Sequence, residues 1–251
     1  MRFLLANGII SPRRTSPITV SNLPENLFAN PVWHALQTKH RHFAISEADA
    51  CRYPAGVTPF VAVAEPTAAA LQSLHSLLTP GEQVWLIAED RPTGEFICDK
   101  TLECLQMVLP DDITAPEPTP DIVPLSCADA PEMVALTDLA FPGFFRIRTC
   151  EMGSYYGIHS GGELIAMGGE RMKLDGYTEI SGVCTHPAHR GKGFAASLIW
   201  HLARKHRREG VVPWLHVSAT NQNAIELYLR LGFTVAHTVK VHRIRQKNIY
   251  D

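Results

Sequence analysis

The 251-residue chain has no apolar run approaching the roughly 18 residues that a membrane-crossing helix needs. Nor does either charge sign dominate. The formal net charge is -2, which gives no global attraction to nucleic acid or to an anionic membrane. The six cysteines lie far apart, with no C-x-x-C pair and no disulfide-framework density. That usage predicts a reduced, cytoplasmic protein. Among the twelve histidines there is no H-x-x-x-H or H-E-x-x-H pattern, so no metal is expected. The opening "MRFLLANGIISPRR" has neither a long apolar core nor a small-residue cleavage site, and reads as a mature N-terminus. No internal repeat is visible. What the chain does have is 45% apolar residues, ample for a core.

Composition suggests one division. Residues 109–124, "LPDDITAPEPTPDIVP", are rich in proline and acid and read as an extended connector. Residues 1–115 then form an α/β region of unassigned role. In it "PVWHALQTKHRHFA" and "TAAALQSLHSLL" read as helices, the second opened by Thr67, and "PFVAVAEP" and "EQVWLIAE" read as strands.

Residues 121–251 carry sharper signals. "DIVPLS" predicts a strand and "DAPEMVALTDLA" a helix. "SYYGIHSGGELIAMGGERM" predicts a hairpin turning at Ser160-Gly161-Gly162. "YTEISGVCTHP" is a strand stopped by Pro187, and "GFAASLIWHLARKHRRE" is a helix with Phe194, Leu198 and Leu202 on one face. Arg204, Lys205, Arg207 and Arg208 crowd its last turns and read as a solvated face that complements the helix dipole. "VPWLHVSA", "NQNAIELYLRLG" and "FTVAHTVKVHRI" then read as strand, helix and strand.

The junction "RGKG", residues 190–193, puts two glycines and two cations between a strand and a helix. Helix-initial amides have no intrahelical acceptors and face the positive end of the dipole, so a phosphate fits there when the backbone can come close. Gly191 and Gly193 permit that approach, and Arg190 and Lys192 add charge. An ordinary loop that happens to contain glycine is the competing account. The P-loop pattern GxxxxGK[ST] is absent, and GxGxxG is only half present because position 196 is alanine.

"GVCTHPAHRGKGFA" resembles motif A of the GNAT superfamily, the Gcn5-related N-acetyltransferases, whose signature is [Q/R]-x-x-G-x-[G/A]. "NQNAIELYLRLGF" resembles their motif B, N-x-x-A-x-x-L-Y-x-x-x-G-F, with Asn221, Ala224, Leu227, Tyr228, Gly232 and Phe233 in place. The resemblance covers residues 121–251. It implies a mixed α/β fold with a central, mostly antiparallel sheet splayed at a parallel strand pair, "EISGVCT" and "PWLHVSA". It also implies acetyl-CoA as co-substrate, with its pyrophosphate on Arg190, Gly191, Lys192, Gly193, Phe194 and Ala195. The pantetheine arm would lie along Val183, Cys184 and Thr185 and near Asn221, which can also cap its helix. An amine would attack the thioester directly. Tyr228 would be the acid for the leaving thiolate, and a backbone N–H near Val183 the oxyanion donor.

Glu179 stands where several relatives place a base. Strand alternation puts Glu179, Ser181, Val183 and Thr185 on one face and Cys184 on the other, and burial in a cleft would raise the Glu179 pKa. His186 reads as structural, and Cys184 as a buried inert thiol. Phe141, Phe144, Phe145, Tyr155 and Tyr156 could line an acceptor pocket, with Arg146 or Arg148 fixing a carboxylate; otherwise these aromatics simply cover the sheet. The expected acceptor is a small-molecule or peptide amine, with no nucleic acid and no membrane. A homodimer is compatible with the sequence. The alternative is an acyl-CoA-binding sensor or scaffold without turnover.

Overall fold

The structure is a computed structural model that describes residues 24–110 and 121–247. The reading of the N-terminus, and of most of the proline-rich connector, lies outside those residues.

Among the described residues eleven strands form one sheet, in the order β1-β2-β3-β4-β11-β5-β10-β9-β8-β7-β6. The strands of the first half are β1 (Ile45–Glu47), β2 (Ala50–Arg52), β3 (Phe60–Val63), β4 (Val84–Ile87) and β5 (Phe96–Val108). Those of the second half are β6 (Val123–Leu125), β7 (Tyr155–Ser160), β8 (Glu163–Leu174), β9 (Tyr177–Thr185), β10 (Val212–Ser218) and β11 (Thr234–Gln246). The helices are α1 (Glu25–Ala29), α2 (Pro31–Gln37), α3 (Ala68–Ser76), α4 (Ala130–Asp138), α5 (Phe194–Arg208) and α6 (Gln222–Arg230). None is long and apolar enough to cross a membrane.

Most helices and strands predicted from the sequence form. Thr67 caps α3 by accepting the Ala70 N–H at 3.2 Å. Ser160 and Glu163 pair across a two-residue turn in which Gly161 and Gly162 both take positive φ, as a type I′ turn requires. The helix expected over residues 31–44 ends at Gln37, where the Thr38 hydroxyl bonds back to the His34 carbonyl, and resumes as a single 3₁₀ turn at Arg41–Phe43. Strands β1, β2 and β5 have no counterpart in the sequence reading. Of these β5 matters most. It pairs antiparallel with β10 on one side and with β11 along its whole length on the other. The sheet is therefore continuous from the first half of the chain to the second.

Two strand pairs are parallel, β3–β4 and β9–β10. The second is short. Its register is Val212↔Tyr177, Pro213↔Thr178 and Trp214↔Glu179, and beyond Glu179 the two strands part. One face of the sheet packs against α5 through Ile180, Ile199, Leu202 and Leu215. The other buries Phe28, Tyr177 and Trp214, with the Phe28 ring edge-on to both neighbours at 5.1 Å. Further along that second face α4 contributes Met133 and Leu136 to a cluster with Tyr155, Met167 and Cys184.

Candidate active site

Strand β9 is irregular where the site lies. Its register against β8 runs Gly169↔Ser181 and then Met167↔Cys184, so Gly182 and Val183 together oppose Gly168. This is a β-bulge, and Gly182 supports it at φ +67°. The bulge shifts the alternation by one residue, which corrects the expected faces. Val183 packs with Ile180 and Leu202 on the α5 side. Cys184 turns to the α4 side beside Met167, the side on which Glu179 meets Arg171 from β8. The Cys184 thiol is buried and its pKa is pushed up to about 12, so it is a poor thiolate.

Where β9 and β10 separate, two cavities open. One, of about 720 Å³, reaches from Thr185 across Arg190, Gly191, Lys192 and Gly193 to Asn223 and Arg230. Gly191 and Gly193 both sit at φ +79° with open space where a Cβ would be, and Gly193 is the N-cap of α5. The Arg190 side chain lies back on the Thr185 carbonyl at 3.4 Å. His186 accepts the Ala188 N–H and holds the turn before the loop. The second cavity, of about 290 Å³, lies deeper and is bounded by Phe60, Leu102, Phe144, Arg171, His216 and Val241, among others. Phe141, Val183, Asn221, Ala224 and Tyr228 line both cavities, so the two spaces meet at that point.

Tyr228 comes from α6, whose first turn is capped by Asn221 accepting the Ala224 N–H at 3.3 Å. Its ring leans on Phe233 at 5.8 Å. Burial pushes the phenol pKa up to about 12, so the hydroxyl stays protonated and remains a donor at neutral pH.

Glu179 departs from the expectation of a raised pKa. It is fully buried, yet Arg171 donates to it twice, at 2.9 and 2.5 Å. The Met172 amide donates at 3.2 Å and His216 Nδ1 at 2.8 Å. Burial alone would raise its pKa, but the charge and hydrogen bonds of Arg171, with the hydrogen bond from His216, outweigh that and bring it down to about 2. A carboxylate so fully paired is a weak base. Glu179 is instead the centre of a buried chain of polar groups. Gln106 Nε2 donates to the Phe28 carbonyl at 2.8 Å and lies 3.0 Å from His216 Nε2. An amide nitrogen can only donate, so His216 must accept there and carry its proton on Nδ1, toward Glu179. Both ring nitrogens are thereby engaged. Sequence reasoning missed Arg171, His216 and Gln106. The signal available was Gly182, an isolated glycine in a strand, which marks a bulge beside the site.

The aromatic segment after α4 divides. Phe141, Phe144, Phe145 and Tyr155 line the inner cavity. Tyr156 points to the other face, its ring 4.3 Å from that of His201. Arg146 borders a separate hollow with Pro59 and Glu82, and Arg148 pairs with Glu151 at 2.7 Å. Neither arginine reaches the cavity to hold a carboxylate. The basic end of α5 is not simply a solvated face either. Lys205 bonds the buried Glu170 at 2.7 Å, and Arg207 donates to the Pro110 carbonyl at 2.8 Å. Among the described residues no three His, Cys, Asp or Glu gather as metal ligands.

The profile of the FR47-like protein family matches residues 155–241, which hold β9, α5, β10 and α6. A GNAT-family protein from Novosphingobium aromaticivorans is 32% identical, with 88% of this chain and 99% of that one aligned at a TM-score of 0.80. The chain belongs to the GNAT superfamily of acyltransferases. The GNAT fold is shared at lower identity. A GCN5-related N-acetyltransferase from Kribbella flavida is 16% identical over 88% of this chain and 96% of that one, at a TM-score of 0.59. A GCN5-related N-acetyltransferase-like protein from Streptococcus suis is 13% identical over 90% and 95%, at 0.58. No curated protein matches the chain significantly. The alignment to the Novosphingobium protein spans 88% of this chain and so reaches into its first half.

Proposed function

We propose that the protein moves an acetyl group from acetyl-CoA directly to a primary amine within a ternary complex. The observation that carries this reading is the meeting of the two cavities at Val183 and Tyr228, where β9 and β10 part. The outer cavity has the glycine-rich loop that would bind phosphate, and the inner one is lined largely by apolar side chains. When bound, acetyl-CoA would supply an activated acyl carbon and leave as the free thiol.

The chain's own residues divide the remaining work. The amides at Gly191–Phe194, with Arg190 and Lys192, would hold the pyrophosphate. Among the described residues the edge of β9 from Val183 to Thr185 has no strand partner on the β10 side and can pair with an extended amide-containing arm. Val183 stands in the bulge and lines both cavities, and its backbone N–H would meet the oxyanion there. The Tyr228 hydroxyl would give its proton to the departing sulfur. Among the described residues no Asp or Glu lines either cavity, and Glu179 is already paired. Water therefore takes the proton that the ammonium acceptor must lose.

The test is free-thiol release from acetyl-CoA in the presence of primary amines, comparing wild type with Tyr228→Phe. Acceptor-dependent release is expected, with kcat at least tenfold lower in the variant and acetyl-CoA affinity little changed. Acetyl-CoA binding without release under any amine would favour a sensor instead.

A further inference from the structure

Resting on that reading, we infer that the acceptor is a primary amine carried on an apolar or aromatic body with no carboxylate and no second charge. Sheet register gives the cavity a direction. Ser218 pairs with Cys104, and Cys104 with Val239, in a row beside the fork. Two residues further along β5 the next row on the same face runs Leu102, Val241, Ile87. The floor thus passes from a hydroxyl and a thiol near the fork to aliphatic side chains away from it. Phe144 marks the apolar end, its ring 4.9 Å from Trp85 and 6.2 Å from Phe60. The reacting nitrogen must lie near Tyr228, at the fork, so the body of the acceptor occupies the end built by β3, β4, β5 and β11.

The charges around that space exclude the two commonest alternatives. A polyamine would bring further ammonium groups, and among the described residues no carboxylate lines the cavity to receive them. An amino acid would bring a carboxylate. Among the described residues the only arginine or lysine on the wall is Arg171; its Nε and Nη2 hold Glu179, which already balances its charge, and it lies over the Phe60 ring at 4.9 Å. A second carboxylate there would set two anions against one guanidinium, with no other cation on the described wall to balance them. Size agrees as well. Roughly 150 Å³ of apolar cavity holds a benzene ring, so about 290 Å³ takes a ring with a short alkyl arm.

The experiment compares 2-phenylethylamine, phenylalaninamide, phenylalanine and spermidine as acceptors with saturating acetyl-CoA, following thiol release, and measures binding of each by calorimetry in the presence of CoA. Phenylethylamine is expected to exceed phenylalanine and spermidine at least tenfold in kcat/KM. Phenylalaninamide should recover much of what the carboxylate of phenylalanine costs. Phe144→Ala should raise the KM for phenylethylamine at least fivefold and leave acetyl-CoA affinity unchanged. Glu179→Gln, which frees Arg171, should narrow the gap between phenylalanine and phenylethylamine; if that variant does not fold, Phe144→Ala carries the test. The inference is overturned if phenylalanine or spermidine equals phenylethylamine, or if phenylethylamine is neither acetylated nor bound. Failure to bind acetyl-CoA at all would instead overturn the proposed function.

Discussion

Glu179 is ionised at a depth where an isolated carboxylate would stay protonated, and the reason is its partners rather than its strand position. The two Arg171 contacts, the Met172 amide and His216 together outweigh desolvation. Removing that charge leaves the guanidinium buried without an ion partner, a change that typically costs about 3–5 kcal/mol. We therefore expect Glu179→Gln to melt well below wild type at pH 7. The sign with pH follows from the lowered pKa. A carboxylate at about 2 in the folded chain and about 4.3 unfolded stabilises fully above the unfolded value, and that stability is lost as pH falls from there through about 2. Thermal melts at pH 7 and pH 3 should show the gap between wild type and variant closing on the acid side. A gap that stays constant would mean Glu179 is not held ionised by its neighbours. None of this could be read from the sequence, because Arg171 and His216 reach Glu179 from β8 and β10, eight and thirty-seven residues away.

The elements whose chemistry is local were the legible ones. "RGKG" announced its loop because left-handed backbone at a helix start needs glycine, and both Gly191 and Gly193 have φ +79°. The Asn221 cap and the Tyr228 position follow from spacing within a single helix. The alternation carried through β9 failed at Gly182, since period-two reasoning cannot see the extra residue that a bulge inserts. The loop offers a clean test because nothing crowds either glycine there. Alanine at both 191 and 193 meets no clash and strains only φ, at about 1 kcal/mol or more each, or lets the loop relax away from its shape. The double variant should bind acetyl-CoA at least tenfold more weakly by calorimetry while losing only some 4–8 °C in Tm. Unchanged affinity would show that the loop's backbone is not what holds the phosphates.

At the scale of the whole molecule the governing feature is β5, which the sequence reading passed over. Its first part shows Asp99, Lys100 and Glu103 to solvent, while its last part, including Gln106, is buried. That burial comes from β10 and β11, more than a hundred residues later, so no local pattern declares it. The proline-rich segment suggested a division between residues 1–115 and 121–251, and the sheet bears on whether the second part can fold without the first. Without β5, the inner edge of β10 would lose its partner from Ser218 to Trp214, and β11 would lose its partner along its full length. Cys104 and Leu102 would also vanish from the floor of the inner cavity. Buried backbone groups left without partners are costly, and two opened edges invite association. A chain limited to residues 121–251 should therefore show no cooperative melt by circular dichroism and should aggregate on purification, whereas the full chain melts as one unit. A soluble fragment with a sharp transition and undiminished acetyl-CoA binding would mean that β5 is an accessory to the GNAT sheet rather than a structural member of it.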